Sequence, residues 1–221
     1  MDLPLARDTY LQALSATMFA GHLAQGSDLR EAAMAPRAAP PLPTPCRAAD
    51  LLLDALALLF TENARASASA MRQALHAFLG QDVSAEDELR WLWLVFITAM
   101  AQWDDEAGRE LTDRHVRLAR ETGALAVLPL VLSSRIIVHL FEGDLAEATT
   151  LSEEVGSITA ATGMRITNYG AVALAAWRGR AAEADRLSRP TEQEITGLRA
   201  GPDPIRSPHL QLLIVQNSLY D

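Results

Sequence analysis

Apolar residues recur at helical spacing along nearly the whole chain, and no sustained apolar–polar alternation marks a strand. Leu11, Leu14, Met18 and Leu23 predict a helix from Leu3 to about Leu23, and a shorter one follows from Ser27 to about Arg37. Arg47 to about Thr61 is densely apolar, and its partner from about Ala64 to Leu79 stops at Gly80. Ser84 is a good N-cap for a helix running to about Gln102, whose Trp91–Phe96 stretch is hydrophobic nearly all round and suits burial between neighbours. Asp104 or Asp105 opens the next, which ends before Gly123. Helices from Leu125 to Phe141 and from Leu145 to Thr162 come after it, with Pro129 in the first turn of the former. Ile166–Trp177 and Ala181 to about Leu198 complete the series, and Pro190 kinks or ends the last one.

Three glycines punctuate this rhythm. Gly123, Gly143 and Gly163 stand 20 residues apart, each just past a helical stretch. Glycine takes the left-handed conformation that closes a helix C-terminus cheaply. A repeated unit of one helix and one tight turn predicts an all-α chain, an α-solenoid of antiparallel helix pairs of tetratricopeptide-like type. Four prolines between Pro40 and Pro45 read as a stiff connector. The expected organisation is an N-terminal helical cap (1–37), a Pro-rich connector (38–46), a helical-repeat array (47–199) and a divergent C-terminal tail (200–221). Solenoids act mainly as binding surfaces.

Composition narrows the chemistry. All 19 basic residues are arginine, so neither a P-loop lysine nor a Schiff-base amine is encoded, and no cofactor is expected. A net charge of −9 opposes direct nucleic-acid binding. The lone Cys46 excludes a disulfide framework or a cysteine-rich zinc site and suits a reducing cytoplasm. Arg7, Asp8 and Gln12 break up the opening apolar residues, so no signal peptide is expected, and the apolar runs are too short to span a membrane.

Several segments resemble a known family. They are Arg47–Leu59, Leu89–Leu94, Gln102–Asp105, Arg114–Leu125 and Tyr169–Gly179, together with Leu140–Ala148, which has the small-residue pattern of tetratricopeptide repeats. As a set they resemble the helical-repeat sensor region of large ATP-binding LuxR-type transcriptional regulators of actinobacteria, over roughly residues 1–190. The resemblance implies a module that senses a small effector or a protein partner in transcription regulation. The ATPase and helix-turn-helix domains of that family have no counterpart in these 221 residues, and the tail from about Ile195 departs from the expected helix pair.

No HExxH or GxSxG motif is present, so no catalytic residue is assigned. His115 falls on an apolar face between Leu111 and Leu118, where a packing histidine is the favoured reading. Asp104, Asp105, Glu106 and Glu110 could act as paired acids, but acids at a helix N-terminus need only the helix dipole to explain them. Arg135, His139 and Glu142 lie one turn apart and could grip a carboxylate or phosphate, with a helix-surface charge cluster as the simpler reading. Trp91, Trp93 and Trp103 suit either interhelical packing or an apolar pocket. The candidate ligand-binding set is therefore Trp93, Trp103, Arg135, His139 and Tyr169. A non-enzymatic module that binds a ligand or a protein is the leading expectation. The alternative is a cofactor-independent cyclase or isomerase of a natural-product pathway, with His139, Asp104 or Tyr169 as the acid or base. Homodimerisation through an uncapped end repeat is a third outcome.

Overall fold

The computed structural model describes residues 3–20, 29–38, 46–80, 83–164 and 168–188, and every regular element among them is a helix. They are α1 (Leu3–Ala20), α2 (Leu29–Arg37), α3 (Ala48–Thr61), α4 (Ala64–Gly80), α5 (Ala85–Ala101), α6 (Asp105–Glu121), α7 (Leu128–Glu142), α8 (Leu145–Thr162), α9 (Tyr169–Trp177) and α10 (181–188). The Ser27 cap, Pro40–Pro45, Pro190 and the tail from 200 lie outside the described residues.

Local chemistry accounts for most boundaries. Ser84 accepts a hydrogen bond from the Asp87 backbone N–H, Asp104 from Ala107, Asp144 from Glu147 and Asn168 from Ala171, at 2.9–3.1 Å. Each satisfies an amide that the first helical turn leaves unpaired. One start differs from expectation. Residues 125–127 form a turn and α7 begins at Leu128, because a helix from Leu125 would need the amide hydrogen that Pro129 lacks. At the second position of α7 that hydrogen is not missed.

The helix ends share one motif. Gly123, Gly143 and Gly163 have φ of 66°, 78° and 68°, and Gly179 has 70°. Trp103, 20 residues before Gly123, has φ 54° and is the one non-glycine residue among those described with positive φ. After these turns the Asp104, Ala124, Asp144 and Arg180 amides donate to the carbonyls of Ala99, Ala119, His139 and Ala175, at 2.8–3.1 Å. That bond to the carbonyl five residues back closes a Schellman turn. Replacing Gly143 by Ala should therefore cost about 1–2 kcal/mol in urea unfolding, the price of a side chain in left-handed backbone. Gly80→Ala, where the added Cβ meets nothing within 4 Å and φ is not positive, should be neutral or slightly stabilising.

The described residues form two compact units, one ending at Ala107 and the other starting at Gly108, within α6. In the first unit, α3 packs on α1, α2, α4 and α5, and α4 also packs on α5. Its core includes Leu11, Leu14, Leu52, Leu53, Leu56, Met71, Phe78, Trp91 and Leu92, each at most 1% exposed. Full burial of side chains of this size stabilises by roughly 1.5–3 kcal/mol each. Arg7, Asp50 and Glu88 are charged residues buried in this unit. Arg7 of α1 donates to the Asp50 carboxylate (3.0 Å) and carbonyl (2.9 Å) and pairs with Asp54. Arg47 holds the other side of Asp50 at 2.9 Å and reaches Asp8. Burial raises the Asp50 carboxyl, but hydrogen bonds and charge from Arg47 and Arg7 outweigh it and hold the group below its usual range.

In the second unit α7 packs on α8 and α9, and α8 on α9. Leu111, Val131, Leu132, Ile136, Ala148 and Val155 are fully buried. The α7–α9 contact is close at Gly170, where a Cβ would lie 2.4 Å from Ile136 Cδ1 and 3.1 Å from its Cβ.

Candidate binding surfaces

The five candidate residues divide between the units. Trp93 and Trp103 belong to the first, and Arg135, His139 and Tyr169 to the second. Trp93 is half-buried on α5. Trp103 lies in the turn after α5 and is 59% exposed. Neither matches Trp91, which is 1% exposed with Arg90 stacked 4.8 Å from its ring.

In the second unit Arg135 and His139 stand one turn apart on α7, and Tyr169 begins α9, which packs on α7. Of the expected cluster His139 is buried, Arg135 is half-buried and Glu142 is exposed. Arg135 Nη2 pairs with Asp113 of α6 at 3.1 Å. His139 Nδ1 lies 3.5 Å from Glu142 and 3.9 Å from Asp144, and Glu142 also pairs with Arg109. Arg135 Nη1 and His139 Nδ1 are both buried without a hydrogen-bond partner among the described residues. A buried donor left unsatisfied costs about 1–3 kcal/mol. The row therefore suits a ligand that offers acceptors. Around the row Asp113, Glu142 and Asp144 outnumber Arg109 and Arg135, so an uncharged carbonyl fits it better than the expected carboxylate or phosphate.

His115 is 3% exposed on α6, in keeping with a packing role. On the same helix, burial and then the like charge of Arg117 pull the Arg114 guanidinium below its usual value. Asp104, Asp105, Glu106 and Glu110 are exposed, and Asp104 caps α6. Among the described residues no group of three His, Cys, Asp or Glu side chains is placed to hold a metal ion, and no helix is long and apolar enough to cross a membrane.

Sequence reasoning missed two surfaces. A cleft of about 260 Å³ lies between α8, α9 and α10, with Leu174 and Ala175 among its apolar lining and Thr149, Glu153, Arg178 and Arg180 among its polar groups. Arg178 is held by Thr149 Oγ1 (2.6 Å) and the Leu145 carbonyl (3.2 Å). At that volume, below the roughly 300–1,000 Å³ of drug-sized sites, it admits only a small molecule. The other surface is a pair of exposed rings, Phe141 and Trp177, meeting edge-on with centroids 5.4 Å apart. The Arg178-Gly179-Arg180 turn was the available signal for the cleft. No family model, curated protein or solved structure matches the chain.

Proposed function

We propose that the chain is a non-enzymatic binding module whose units are short stacks of tetratricopeptide-like helix pairs, and that the second unit binds a small effector. The architecture is supported by left-handed backbone at residues 103, 123, 143 and 163, by the packing of α3 on α1, α2, α4 and α5, and by that of α7 on α8 and α9. The likeness to the sensor region of LuxR-type regulators is the ground for assigning the module to ligand sensing. The observation that carries the binding role is the pair of buried, unsatisfied donors on Arg135 and His139. An effector with an uncharged carbonyl accepts from both.

A thermal-shift screen tests this reading. Neutral amides, lactones and ketones should include compounds that raise the midpoint of the wild type, while matched carboxylates and phosphates should not. Ligand at a hundred times Kd stabilises by about 2.7 kcal/mol. Arg135→Met and His139→Phe should each abolish the shift. A shift that survives both substitutions would place the ligand elsewhere and refute the assignment.

A further inference from the structure

Three helices of the second unit each turn one face to the cleft. Thr149 and Glu153 stand one turn apart on α8, Leu174 and Arg178 at the end of α9, and Glu183 and Leu187 on α10. Arg178 is half-buried, and its Nη2 donates to Thr149 Oγ1 at 2.6 Å and to the Leu145 carbonyl at 3.2 Å. Both acceptors are neutral. The guanidinium therefore keeps its full charge, with no carboxylate in ion-pair reach and with Nε and Nη1 unpaired among the described residues. Glu153 is exposed, and no cation pairs with it among the described residues. Arg180 and Glu183, by contrast, pair with each other at 3.3 Å.

One unpaired cation and one unpaired anion thus line a single cleft, and they select its occupant. A cationic molecule would meet Arg178, and an anionic one would meet Glu153, each at a cost in like charge. A neutral apolar molecule would strip water from both groups without replacing it. A zwitterion satisfies both: its carboxylate accepts from Arg178, and its ammonium pairs with Glu153. Leu174, Ala175 and Leu187 offer an apolar wall to a short hydrocarbon side chain. A volume of about 260 Å³ suits a molecule of that size. We infer that the cleft binds a free α-amino acid with a small aliphatic side chain. This goes beyond the effector reading, because neither Arg135 nor His139 lines the cleft.

The test is isothermal titration calorimetry of the full chain near neutral pH with three probes of one skeleton. They are L-leucine, isocaproate (leucine without its ammonium) and isopentylamine (leucine without its carboxylate). Only L-leucine should give saturable heat. Arg178→Met should weaken its binding about tenfold or more, the loss of a charged hydrogen-bonding partner. Glu153→Gln should weaken it about fivefold, as for an exposed ion pair, and should erase the preference over isocaproate. Arg178→Met also breaks the bonds that tie the end of α9 to α8, so Glu153→Gln, on an exposed side chain, decides if that variant loses helicity. Arg135→Met, in the effector row, should change leucine binding less than twofold, so either site can fail without the other. Absence of leucine binding would overturn the proposal, and so would equal binding of isocaproate by the wild type. Unchanged affinity in Glu153→Gln, or loss of leucine binding in Arg135→Met, would overturn it as well.

Discussion

Asp50→Ala is expected to destabilise the first unit by about 3–5 kcal/mol, the cost of breaking a buried ion pair by removing one partner. Arg7 is 3% exposed and Asp50 2%, so the guanidinium left behind cannot be rehydrated without lifting α1 from α3. Asp54 is too exposed to replace the lost partner, with its side chain 54% accessible. Arg47 would lose its 2.9 Å contact as well. Urea unfolding of the full chain, followed by tryptophan fluorescence, measures the loss, and an effect below about 1 kcal/mol would mean that the network is ornamental.

The same network sets an acid limb. The Asp50 carboxyl lies below its ordinary value in the folded chain, so its contribution is complete above the unfolded value of about 3.9 and fades as pH falls through the folded one. Wild-type stability should therefore drop steeply below about pH 5, and Asp50→Ala should show a shallower slope there. Glu62, also held low by Arg37, acts in the same direction and persists in both proteins.

Gly170→Val is expected to be the most damaging single change in the second unit, at about 3 kcal/mol or more. The added Cβ would lie 2.4 Å from Ile136 Cδ1 and 3.1 Å from its Cβ, and Ile136 is fully buried. A cycle with gentler changes isolates the contact. Gly170→Ala and Ile136→Ala should each destabilise alone, yet the double variant should lose less than their sum, because the truncated isoleucine makes room for the methyl group. Simple additivity would mean that α7 and α9 do not approach closely at this point.

The sequence disclosed what depends on local chemistry and little of what depends on neighbours. Gly123, Gly143 and Gly163 announced their turns because only glycine takes positive φ cheaply. Ser84, and Asp104 as one of two candidates, were readable because capping is a relation across three residues. Trp103 was not readable as a turn of the same type, since a bulky residue is the least expected there. The burial of His139 was not readable, because the spacing of Arg135, His139 and Glu142 along one helix says nothing of what other helices cover. The Arg7–Asp50 pair spans 43 residues, and no spacing rule reaches that far. The α8–α9–α10 cleft is formed by three helices, and the Arg178-Gly179-Arg180 turn was its one local sign.

The central claim is that the second unit holds a small molecule on donors that the protein itself leaves unsatisfied. Native mass spectrometry of the chain purified from its own host tests it most directly. A fraction of the wild type should carry one extra mass of small-molecule size, absent from Arg135→Met and from His139→Phe at equal foldedness by circular dichroism. A wild type of bare polypeptide mass, with the two variants indistinguishable from it, would contradict the claim.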